Sequence, residues 1–154
     1  MLTNGHTTTW AVAAEDLPDE ANDVTLDAEL VDSSGIPAPR VRYRISDLTR
    51  ANQTWNAERA REAHEAAGAT RVHVETAAPD CGWHLLGTAK MGTDPAASVV
   101  NADCRAHDVP NLYVVDGSVF VTSGAVNPTA TICAIAHRAA QHIVRNASRH
   151  SVPA

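Results

Sequence analysis

A chain of 154 residues has room for one hydrophobic core and hardly for two, and with only 4% aromatic residues that core must be built mainly from Ala, Val, Leu and Ile. A net charge of −6 without any Lys/Arg cluster excludes the electrostatic footprint of a nucleic-acid binder, and no run of roughly 18 apolar residues is present to span a membrane. The first ten residues lack the basic and apolar regions of a secretory signal, and Cys81, Cys104 and Cys133 form no C-x-x-C pair, which argues against a zinc site or a disulfide framework and fits a reducing, cytoplasmic setting.

In chain order, the alternation from His6 to Ala13 reads as an extended segment entering a sheet, and Glu15 to Asp23 as an acidic loop. Val24 to Val31 sets Val24, Leu26, Ala28 and Leu30 against Thr25, Asp27 and Glu29, the period-2 pattern of a half-solvated antiparallel strand. Asp32-Ser33-Ser34-Gly35 supplies turn chemistry. From Arg40 to Ser46 the alternation returns, with Val41, Tyr43 and Ile45 on one side and Arg40, Arg42 and Arg44 on the other. Three arginines in a row of this kind could form a phosphate patch, but the solvated face of a strand is the simpler account. Asp47 to Ala67 is expected to be a helix, capped by Ser46 or Asp47 and ended by Gly68, with His64 at its surface or boundary. Thr70 to Glu75 alternates as a third strand, and Ala77 to Gly82 is a loop. Strand, strand, helix and strand without a βαβ rhythm imply an α+β fold, an antiparallel sheet with flanking helices.

The chemistry gathers after Trp83. In WHLLGTAKMG (Trp83 to Gly92), His84 stands between Trp83 and Leu85-Leu86 and so should be part-buried, while Gly87 and Gly92 bracket a turn that admits close backbone approach to a planar ligand. Asn101 to Pro110 is polar and irregular. Leu112 to Val115 is an apolar run with the look of a strand buried on both faces, closed by Asp116-Gly117. Asn127 is then expected as a helix N-cap and Pro128 as the first helical residue of a helix reaching about Arg145. Such a helix start offers unpaired N–H groups and a partial positive charge to an anionic or carbonyl-bearing ligand. His137 and His142, five apart, share no face, no metal site is expected, and all three cysteines read as small buried apolar residues.

Three motifs in order, H-x-x-G-T-x-x-M-G from His84, N-L-Y-V-x-D-G-S from Asn111 and T-S-G-x-V-N-P-T from Thr122, resemble the C-terminal segment of the glucose-methanol-choline (GMC) flavoprotein oxidoreductases. The resemblance implies an incomplete substrate-binding antiparallel sheet domain over residues 1–110 carrying the catalytic histidine loop. It further implies a strand, turn and helix over 111–147 that dock onto an FAD-binding domain, with a disordered tail over 148–154. It makes His84 the base beside the flavin ring and Asn127 the second catalytic position. Asp116 and Gly117 would contact the ribityl and pyrophosphate region, and Asn127, Pro128 and Thr129 would lie near the pyrimidine edge of a non-covalent FAD. The activity implied is oxidation of CH–OH groups in alcohols, sugars or polyols by hydride transfer to flavin N5. Three positions depart from the usual pattern: Leu85 and Val121 stand where proline is common, and Asp108 where glycine is.

None of the eight glycines forms the G-x-G-x-x-G turn that seats a dinucleotide, so FAD binding is expected to need an N-terminal part supplied in the same gene product or by a partner chain. Two other readings are open at this stage. One is a noncatalytic relic or binding module of the same fold. The other is a serine hydrolase on Ser118, His84 and Asp116, disfavoured because no G-x-S-x-G elbow is present.

Overall fold

A computed structural model describes residues 6–75, 83–124 and 126–150, with side chains through Ala147. The chain forms two compact units, Met1–Asp16 with Ile45–Cys81 and Leu17–Arg44 with Gly82–Ala154. It therefore leaves the second unit after Arg44 and returns to it after Cys81. The expected loop at Ala77 to Gly82 and the residue Cys81 lie outside the described residues.

In the first unit, helix α1 spans Asp47–Ala66, as its caps dictate. Ser46 Oγ accepts from the Thr49 N–H at 3.1 Å, and the Thr49 hydroxyl donates to Asp16 Oδ1 at 2.9 Å, so the buried Thr49 ties the incoming segment to the first turn. At the far end Gly68 adopts φ +90° and its N–H reaches Glu65 O, while the Ala69 N–H reaches His64 O, two bonds that satisfy carbonyls the helix leaves open. Trp10 packs tilted against the His64 ring at 4.5 Å. The strands expected at His6 to Ala13 and Thr70 to Glu75 do not form; their described residues are irregular. A period-2 pattern makes a strand only where a neighbour offers a ladder, and among the described residues Trp10 is committed to the helix instead.

The second unit opens with β1 (Asp23–Val31), paired antiparallel to β2 (Pro37–Arg42), Val24 opposite Val41 and Leu26 opposite Pro39. Asp32 Oδ1 accepts from the Ser34 and Ile36 N–H groups at 2.8 and 2.9 Å and Gly35 sits at φ +79°, which closes the hairpin as the turn residues require. β2 begins and ends earlier than its alternation suggests, because Asn22 brackets the Arg44 backbone with two bonds of its own. Arg42 is held by an ion pair with Asp23, so that arginine serves the pair of strands. The hairpin's apolar face is also open: Val24, Leu26 and Val41 are all exposed.

The core of this unit is small and lies elsewhere. Val100, Cys104, Val119 and Ala139 are fully buried, with Met91, Val114, Phe120 and Ile135 packed against them. Single bridges link Met91 to Val100, Val100 to Ala106 and Arg105 to Tyr113, so the irregular stretch after Ala97 is a nest of short crossings around Val100. The strand expected to be buried on both faces, Leu112 to Val115, is reduced to the bridge at Tyr113. Val114 reaches the core, whereas Leu112 and Val115 stay exposed. Helix α2, Thr129–His150, lays Ile135 and Ala139 on that core. It continues past the expected end near Arg145 and through residues 148–150, assigned above to a tail, because no Gly or Pro interrupts it before Pro153. Cys104 is buried as anticipated, but Cys133, on the outer side of α2, is exposed.

Candidate active site

The histidine motif and the Asp-Gly turn are laid side by side by three backbone bonds. The N–H groups of Gly87, Ala89 and Met91 donate to the carbonyls of Gly117, Ser118 and Val119 at 3.2, 2.9 and 2.9 Å. The alternate donors come from the turn at Gly87 to Ala89 and the bridge residue Met91, and the consecutive acceptors from the 3-10 turn Gly117–Val119. Gly87 makes this pairing possible, since it sits at φ +87° with the Phe120 carbonyl 3.4 Å from where a side chain would begin.

His84 lies just before this clamp. It is exposed rather than part-buried, and its backbone takes φ +60°, in the left-handed region. Left-handed histidines are uncommon and cluster at sites where the surroundings over-determine them. Trp83 and Leu85 on either side are each 79% exposed, so the imidazole stands on an open apolar border.

Gly117 is where the segments meet. It is buried, and a Cβ added there would come 2.8 Å from Leu86 Cδ2, 3.0 Å from the Leu85 carbonyl and 3.5 Å from Ile132 Cδ1. The histidine segment and the first turn of α2 thus both close on one glycine. Asp116 caps the 3-10 turn, its Oδ1 accepting from the Ser118 N–H at 2.8 Å. Bonds from the Ser118 hydroxyl and backbone hold its carboxyl below the usual carboxylate range, against a smaller opposing effect of burial.

At α2 the first helical bond runs from the Ile132 N–H to Pro128 O at 2.9 Å, so the buried Pro128 occupies the cap position and exposed Asn127 stands one residue outside it. That is one residue later than its expected start, which leaves the carboxamide of Asn127 free of the capping role. Thr129, Ala130 and Thr131 form the first turn, whose N–H groups a helix does not satisfy internally. Gly92, expected to open space for a ligand, is committed to packing, since a Cβ there would meet Ser98 Cβ at 2.8 Å.

Other histidines are used structurally. The Ser98 hydroxyl donates to Asp94 O at 2.6 Å and so accepts from His107 Nε2 at 2.9 Å. His142 lies between Asp103, at 3.4 Å, and Asn146, at 2.7 Å, while His137 bonds Gln141 at 3.0 Å. Among the described residues no group of His, Cys, Asp and Glu is arranged to hold a metal. The residue that sequence reasoning overlooked is Leu86. It passed as half of an apolar pair, and only its position under Gly117 gives it a part in the site.

Residues 18–136 match the C-terminal family model described as GMC oxidoreductase. The chain is 47% identical over 135 residues to 2-methyl-1,2-propanediol dehydrogenase of Mycolicibacterium austroafricanum, covering 87% of this chain and 24% of that protein. It is 34% identical over 132 residues to the fructose dehydrogenase large subunit of Gluconobacter japonicus, covering 86% and 24%. A third relative, paromamine 6'-oxidase of Streptomyces fradiae, is 36% identical over 138 residues, covering 88% and 25%. The chain therefore spans about a quarter of the length of the curated relatives it matches. Among solved structures, pyridoxine 4-oxidase from Mesorbium loti superposes with a TM-score of 0.52 at 22% identity, covering 82% of this chain and 28% of that one, which bears on the fold.

Proposed function

The chain belongs to the GMC oxidoreductase family, and from that membership we propose that it supplies the base-bearing side of an FAD site that oxidises a CH–OH group of an alcohol, sugar or polyol. The observation that carries the reading is the convergence at Gly117, where the segment bearing His84, the Asp116 turn and the start of α2 close on one another. The names of the relatives support it, since a propanediol dehydrogenase, a fructose dehydrogenase subunit and a paromamine 6'-oxidase are all named for oxidation.

The donor set suits FAD. Asp116, ionised and already oriented by Ser118, is an acceptor for ribityl hydroxyls. The N–H groups of Thr129 to Thr131, which the helix does not satisfy internally, and the positive end of α2 suit a carbonyl or a developing negative charge, beside the exposed Asn127. When bound, FAD would supply the hydride acceptor and the electron chemistry. His84 would take the hydroxyl proton onto its imidazole. Asn127 donates from its carboxamide to the alcohol oxygen and holds it in place. Pro128 and Gly117 provide the rigid backbone from which these groups project. The dinucleotide-binding part of the site would come from a segment or partner chain carrying the G-x-G-x-x-G turn that these 154 residues do not contain.

The test uses the protein assembled with such a part and loaded with FAD. His84→Ala is expected to slow flavin reduction in the stopped flow by about 10²–10⁴, with substrate affinity altered far less. Reduction at the native rate would refute the assigned role. Yellow colour appearing only when both parts are present would establish that the site is shared.

A further inference from the structure

We propose that Leu86 and Gly117 are a size-matched pair that seats the His84 turn, making both of them positioning residues for the base. The inference rests on the reading of His84 given above, but its geometry does not. Gly117 is buried without any left-handed backbone angle, so its φ and ψ would accept alanine; what excludes a side chain is space. Two of the three nearest atoms to its absent Cβ belong to the residues directly following His84: Leu86 Cδ2 at 2.8 Å and Leu85 O at 3.0 Å. The leucine end is mobile and can give way, whereas the carbonyl is backbone and can yield only if the turn itself moves.

Next in sequence, Gly87 donates its N–H back to the Gly117 carbonyl at 3.2 Å, so the same glycine grips the turn on both sides, sterically through Leu86 and by a hydrogen bond through Gly87. His84 lies two residues from this grip in a left-handed conformation that an unconstrained histidine seldom holds. Ile132, 3.5 Å from the same point, brings the first turn of α2 into the arrangement. A methyl group added at Gly117 therefore presses on the histidine segment while only touching Ile132 of α2, and the contact with the Leu85 carbonyl is not relieved by a rotamer change alone.

The experiment is NMR on the full chain, reading the His84 ring resonances and the Gly87 amide, neither of which requires flavin. Gly117→Ala is expected to shift both. Adding Leu86→Val, which removes the δ-methyls while keeping a branched apolar side chain, is expected to return both part of the way toward the native positions, the remainder being due to the Leu85 carbonyl that the second substitution leaves in place. An unshifted His84 ring in Gly117→Ala, or a shift that the double variant leaves unchanged, overturns the pairing. If Gly117→Ala does not fold, Leu86→Ala alone decides: with the seat emptied, the Gly87 amide should exchange with solvent roughly tenfold faster, and native exchange would end the proposal. Resonances that move and recover, in a protein whose flavin reduction proves indifferent to His84, would preserve the seat and discard the proposed chemistry.

Discussion

At the scale of single residues, the exposed groups of the site depend on buried neighbours with no reactive atoms of their own. Asp116 is the clearest case of a charge put to local use. Since its folded pKa is lowered, its ionised form stabilises the 3-10 turn above the ordinary carboxylate value of about 3.9, and that contribution disappears as pH falls through the lowered value. Asp116→Ala is expected to cost about 0.5–1 kcal/mol at neutral pH, the lower part of the range for helix caps, and the difference from the native protein in chemical denaturation should shrink in acid. A constant difference across that window would show that the carboxylate charge plays no part. The two described cysteines should separate equally well: burial pushes the Cys104 thiol up and shields it, whereas Cys133 is exposed on α2. A thiol reagent at neutral pH should therefore label Cys133 rapidly and Cys104 only on unfolding, as peptide mapping can establish.

At the scale of elements, capping chemistry was legible where it is local. Ser46 and Gly68 mark α1 to within a residue because each acts through atoms only a few positions away. Ser46→Ala should destabilise the chain by roughly 0.5–2 kcal/mol, with the Thr49 and Asp16 bonds weakened as well. Gly68→Ala should cost about 1–2 kcal/mol for backbone reasons alone, since nothing lies within 4 Å of the added methyl. Both are measurable as shifts in urea midpoint. The alternating segments fared differently. β1 and β2 formed because each is the other's ladder, while His6 to Ala13 and Thr70 to Glu75 carry the same periodicity and remain irregular. Leu112 to Val115 shows the same limit, as its β-branched residues favour a strand but the nest around Val100 offers Tyr113 only one bridge.

At the scale of the whole molecule, little apolar surface is fully enclosed. The second unit rests on Val100, Cys104, Val119 and Ala139, and removing two methyl groups by Val100→Ala should cost about 2 kcal/mol, a large part of what so small a core can supply. Meanwhile Val24, Leu26 and Val41 share an open face of β1 and β2, and Leu30, Tyr43 and Val144 are each at least 60% exposed. The isolated chain is therefore expected to bind an apolar fluorescent dye such as anilinonaphthalene sulfonate while still folded, with the signal falling when a flavin-binding part is added. A dim folded chain would indicate that these side chains are covered.

By itself the sequence determined the family, through three ordered motifs, and the helix limits set by Ser46, Gly68 and the region of Pro128, since such signals are carried by residues close together in the chain. Only the tertiary structure decided that His84 is exposed in a left-handed turn, that Asn127 stands outside the cap, and that Leu86 fits the space Gly117 leaves empty. Those facts depend on which segment packs against which, at separations of about thirty residues, and local periodicity carries no information about a neighbour that far along the chain.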